Sequence, residues 1–149
     1  MLRISRLTDY ATVLLATIAC EAKQRHTASS LAQETRLGAA TVSKILKQLQ
    51  RSGLVVSSRG AHGGYRLAKP ATEISAAAIL DALEGPLALT DCSAGSGHCD
   101  IEHTCRVGRS WQRVNLAIRR SLYGISLAEL AGMDAEAAPR EHMTLGARA

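Results

Sequence analysis

The sequence predicts a mostly α-helical fold, with a group of short helices and a β-hairpin followed by one long helix near the C-terminus. Three observations carry this expectation. Apolar residues recur at three- and four-residue spacing over most of the first fifty positions and again from about 106 to 123. A β-prone run at 54–58 is separated from Tyr65-Arg66-Leu67 by the glycine-rich stretch Gly60-Ala61-His62-Gly63-Gly64. The 149 residues are 46% apolar and 21% charged, an ordinary globular composition and a length for one domain or a small domain with an appendage.

The elements follow in order. Leu7, Ala11, Leu14, Leu15 and Ile18 predict a helix over about 5–22, with Ser5 or Thr8 as N-cap. Cys20 falls near its apolar side and reads as a small buried hydrophobe. Gln24-Arg25-His26 is a polar connection. A short helix capped by Thr27 or Ser29 is interrupted at Arg36-Leu37-Gly38, and a longer one runs from about 39 to 51, where Ser52-Gly53 ends it. After the hairpin and Pro70, Ala76, Ile79, Leu80 and Leu83 predict a helix over about 75–83, stopped by Glu84-Gly85-Pro86. The expected organisation is a winged helix-turn-helix region at 1–70 and a connecting helix and strand at 71–89. A cysteine-rich loop at 90–105, a long helix with a short Ser126-capped one at 106–131, and a flexible tail at 132–149 complete it.

The net charge of +5 hides a split. Residues 1–70 hold 11 Lys/Arg against Asp9, Glu21 and Glu34, whereas residues 71–149 hold 7 Lys/Arg against 10 acids. A basic first half predicts a polyanionic partner. With only Tyr10, Tyr65, Trp111 and Tyr123 as aromatics, stacking on single strands is disfavoured and duplex DNA is expected. On the 39–51 helix, Val42, Ile45, Leu46 and Leu49 share one face. Lys44, Lys47 and Arg51 share the other, flanked by Ser43 and Gln48. Thr41, Ser43 and Lys44, near its N-terminus, are candidates for base edges, and the remaining cations for phosphates. Arg59, Gly60, His62 and Arg66 mark a slender wing able to approach the backbone or a narrow minor groove.

Cys92, Cys99 and Cys105 lie in a segment with no Lys or Arg from residue 73 to 105, so three thiolates there call for a neutralising cation. Thiol spacing leaves iron–sulfur, zinc and redox thiols open, and His98, His103 and Glu102 are nearby polar groups. The long helix carries a seam of Val107, Trp111, Val114, Ile118 and Leu122, which predicts pairing with the same helix of a second copy. No nucleophile–base pair or cofactor fingerprint points to an enzyme or a small-molecule substrate. No run of apolar residues is long enough to span a membrane and no signal-peptide core is evident, so a cytoplasmic protein is expected.

Taken together, these motifs resemble the IscR- and NsrR-like winged-helix iron–sulfur regulators over residues 1 to about 130. The resemblance rests on Leu2-Arg3-Ile4-Ser5-Arg6-Leu7-Thr8-Asp9-Tyr10-Ala11, the wing from Arg59 to Leu67, Leu83-Glu84-Gly85-Pro86, the three cysteines and Ser126-Leu127-Ala128-Glu129-Leu130. Thr41-Val42-Ser43-Lys44-Ile45-Leu46-Lys47 and Trp111-Gln112-Arg113 look most like the branch regulating SUF cluster-assembly genes. The resemblance implies a homodimeric transcription regulator, expected to be a repressor, on a palindromic operator. It implies a 2Fe–2S or 4Fe–4S cluster held by Cys92, Cys99 and Cys105. Some members use a histidine three residues after the last cysteine; here that position is Gly108. Others take an aspartate from the partner's first helix, which makes Asp9 the leading fourth ligand. A nitric-oxide- or iron-responsive repressor, or one based on zinc or thiols, is the alternative.

Overall fold

The computed structural model describes residues 3–95 and 97–133; the expected tail beyond 133 lies outside them. Helix α1 (Arg6–Cys20) starts at Ser5, whose hydroxyl accepts from the Thr8 amide at 3.2 Å. Helix α2 (Ala28–Thr35) opens with a capping box between Thr27 and Ser30. Arg36 then takes the left-handed conformation that turns the chain into α3 (Ala39–Arg51). The apolar faces meet in one core, where Leu14, Leu15, Ile18, Leu31, Val42, Ile45, Leu46 and Leu49 are all fully buried. Each such side chain stabilises the fold by about 1.5–3 kcal/mol through water exclusion.

Strands β1 (Val55–Ser58) and β2 (Gly64–Leu67) pair antiparallel, with Val55 opposite Leu67 and Ser58 opposite Gly64. The hairpin is also stitched to the α1–α2 connection. His26 and Tyr65 exchange backbone hydrogen bonds of 3.0 and 2.8 Å, and a side chain on Gly64 would run into the His26 carbonyl. Gly63 is needed for the same reason, because a Cβ there would overlap the Ser58 carbonyl.

A 3-10 turn (Ala71–Glu73) leads into α4 (Ala76–Glu84). No strand forms between 71 and 89 among the described residues. The expected strand is replaced by a single bridge between Ser75 and Ser126. That bridge returns α7 (Leu127–Leu130) to the core, where Leu127 is fully buried and its amide donates to the Ile74 carbonyl at 2.7 Å. Between α4 and α7 lie a one-turn helix α5 (Asp91–Ala94), inside the segment expected to be all loop, and the long α6 (Gly108–Tyr123). Cys20 is exposed, not buried: it follows Ile18 by two residues, about 200° around the helix.

Candidate nucleic-acid interface and cysteine loop

The core fixes which side of α3 faces out. Lys44, Lys47 and Arg51 are exposed, with Thr41 and Ser43 half-buried beside them. Arg59, Gly60, His62 and Arg66 are exposed on the hairpin. Gln48 behaves differently from its expected role. Its amide turns inward and donates to the Leu83 carbonyl at 3.2 Å, satisfying the C-terminal end of α4. Arg25 was not singled out by the sequence; its guanidinium donates to Ser58 Oγ at 2.6 Å and adds an exposed cation beside the loop end of the hairpin. On the other side of α4, Glu84 Oε1 accepts from the Ser5 amide at 3.0 Å and from the Thr8 hydroxyl. The Thr8 bond, then the Ser5 amide, hold the Glu84 carboxyl below the usual carboxylate range.

The cysteine loop is anchored on α6. Buried Asn115 uses both ends of its amide, accepting from the Leu89 amide at 3.1 Å and donating to the Leu87 carbonyl at 3.2 Å. One turn earlier, Gln112 donates to the Cys92 carbonyl at 3.1 Å. The Cys92 sulfur lies 3.1 Å from the Thr90 hydroxyl. Gly108, buried as the first residue of α6, lies near two sulfurs: a Cβ there would lie 3.7 Å from Cys105 Sγ and 4.0 Å from Cys92 Sγ.

The four expected metal residues do not form a ready-made site within one chain. Among the described residues no three of His, Cys, Asp or Glu are gathered closely enough to hold an ion. Asp9 is exposed in the first turn of α1, in a groove walled by Ile79, Leu80, Leu122, Ile125 and Leu130. That groove meets α6 at Leu122, about 21 Å along the helix from Gly108. The donor chemistry nonetheless suits a soft metal centre, with three thiols on one loop and two sulfurs converging on a residue without a side chain.

Along the α6 seam, Val107, Trp111 and Val114 are 58%, 46% and 43% exposed, while Ile118 and Leu122 are half-buried. Arg119 ties the helix to α4 through a 3.1 Å salt bridge to Asp81. Among the described residues no helix is long and apolar enough to cross a membrane.

A helix-turn-helix with an outward basic helix and a glycine-tipped hairpin defines a DNA-binding protein of the winged-helix class. The family model described as Rrf2, an iron-dependent transcriptional regulator, matches residues 4–132. The chain belongs to the Rrf2 family of transcriptional regulators, and its function is regulation and not catalysis. It is 27% identical over 130 residues to protein rrf2 of Nitratidesulfovibrio vulgaris, covering 87% of each chain. Its fold is similar to that of CymR, the global cysteine regulator of B. subtilis (TM-score 0.70, 26% identity, 89% of this chain and 98% of that one). It is also similar to IscR of T. potens (TM-score 0.68, 25% identity, 93% of each).

Proposed function

We propose that the chain is a homodimeric repressor that binds a palindromic operator and reports iron–sulfur status, controlling cluster-assembly genes of the suf type. The observation that carries this reading is the convergence of Cys92 and Cys105 on Gly108, at the start of the helix with the exposed apolar seam. Cys92, Cys99 and Cys105 would hold the cluster, with Asp9 supplied by a second copy, because within one chain Asp9 belongs to the far end of α6. The cluster would supply a redox-active, cationic cross-link among thiolates that otherwise repel.

The chain's own part is mechanical. Asn115 and Gln112 clamp residues 87–92 to α6, so the shape of the cysteine loop is registered by that helix. Through the seam of Val107, Trp111, Val114, Ile118 and Leu122, two α6 helices pair. Their crossing sets the separation of two α3 helices about one DNA turn apart. Thr41, Ser43 and Lys44 would read base edges, while Lys47, Arg51, Arg59 and Arg66 hold phosphates and Gly60 and His62 keep the wing tip small and polar.

A thiol-based reading is supported by the same two sulfurs, both within reach of the position a Cβ on Gly108 would take. Anaerobic purification followed by absorption spectroscopy, iron and sulfide analysis, and zinc analysis separates the two. A brown protein with stoichiometric iron and sulfide, bleached by Cys92→Ala, Cys99→Ala and Cys105→Ala together, is the expected result. A colourless protein, zinc-loaded or metal-free, would overturn the cluster assignment.

A further inference from the structure

The second half of the chain is acidic only on average. Residues 103–128 hold five arginines, at 106, 109, 113, 119 and 120, and no Asp or Glu. Four of the five lie within α6, and among the described residues only Arg119 has an ion-pair partner. At about 100° per residue, Arg109, Arg113, Leu116, Arg120 and Tyr123 fall within an arc of about 80°. Trp111, Val114 and Ile118 lie on the opposite side of the helix. This second stripe is exposed throughout: Leu116 is 49% and Tyr123 is 54% accessible. Pairing through the seam would leave it facing outward.

Its composition differs from the cationic face of α3. There the cations are interleaved with the short polar Thr41 and Ser43, as phosphates and base edges require. On α6 the group between Arg113 and Arg120 is the isobutyl of Leu116, about one turn from each. An apolar side chain gains nothing against phosphate. Arginines around an apolar knob with a tyrosine at the margin are the composition of a protein interface. The end of the stripe is also preorganised: Arg119 bridges Asp81 and the Tyr123 hydroxyl, which accepts at 3.0 Å, and its guanidinium stands 5.7 Å from the ring centroid.

We propose that this outward stripe of α6 is a docking face for an acidic, amphipathic helix of a partner protein. Carboxylates spaced about one turn apart would pair with Arg109, Arg113 and Arg120, and an apolar residue between them would cover Leu116. The proposal is independent of what the cysteine loop binds.

The test uses the full chain and two labelled probes: a synthetic helix of about 18 residues, five turns, bearing a Glu/Leu face, and a duplex DNA of arbitrary sequence. Fluorescence anisotropy is expected to show saturable peptide binding that persists when α3 is occupied by a selected operator. Arg113→Glu with Arg120→Glu should weaken the peptide about tenfold or more, and Leu116→Asn, which leaves the charge unchanged, by several-fold. Circular dichroism and sedimentation of the variants should match the parent. No peptide binding, or binding indifferent to these substitutions, overturns the proposal. So does loss of arbitrary-duplex binding in the Arg113→Glu, Arg120→Glu variant without peptide binding to the parent, which would make the stripe a second DNA surface.

Discussion

Helices α3 and α6 are written in the same code and put to opposite use. Both are amphipathic, both are rich in cations, and neither contains an acid. The apolar face of α3 is sealed completely by α1, α2, β1 and α4, with Val42, Ile45, Leu46 and Leu49 at zero exposure. The apolar face of α6 leaves Val107, Trp111 and Val114 in water. Periodicity therefore announces that a face will be covered without saying by what. The cover is decided by neighbours: α3 follows a tight turn that folds it back on the preceding helices, whereas α6 follows the long cysteine segment and meets its own chain through Asn115, Gln112, Arg119 and the half-buried Ile118 and Leu122.

That contrast can be broken most sharply in the core. Leu46→Ala should cost about 2–5 kcal/mol of folding stability, because the cavity left in a fully buried site collapses only in part; denaturant unfolding measures it. Trp111→Ala should leave unfolding of the isolated domain nearly unchanged. It should instead weaken self-association by about 2 kcal/mol or more, roughly thirtyfold, as expected for an aromatic anchor of an interface; sedimentation equilibrium reads it. An unfolding midpoint that falls as far as that of Leu46→Ala would show that α6 packs on its own domain. On the outward side of α3, Lys47→Ala should reduce the dependence of log affinity on log salt by about one unit. Arg59→Ala should do the same, and unchanged slopes in both would remove these side chains from the interface.

Much of the first half was legible from residue spacing. The buried face of α3, the glycine-tipped hairpin and the Ser5 cap need only local geometry, and each formed as expected. What escaped depends on contacts between segments far apart in sequence. Gln48 looked like a flank of the cationic face, yet the unsatisfied carbonyls at the end of α4 claim its amide. The connection at Gln24-Arg25-His26 carried no strand signal because a single backbone bridge to Tyr65 needs no particular side chain. Cys20 was misplaced by proximity in sequence to Ile18, where angle decides. Asn115 sat unremarked within an apolar seam, and its value appears only when residues 87–89 lie beside it.

The smallest expected effect concerns the Glu84 link between α4 and the start of α1. Its carboxyl titrates lower in the folded chain than in the unfolded one, so the stabilisation is complete above the unfolded value and lost as pH falls through the folded one. Glu84→Gln should flatten the acid side of the stability profile below about pH 5. The effect is modest, because the side chain is exposed and screened.

The central claim is that the state of the cysteine loop reaches α3 through α6. Its most direct test is an anaerobic titration of one selected palindromic duplex, at fixed salt, with protein as isolated and after removal of its metal. The account predicts affinities that differ by about tenfold or more, a coupling of 1–3 kcal/mol, and a difference that shrinks when Asn115→Leu releases residues 87–89 from α6. Equal affinities for the two forms would contradict it.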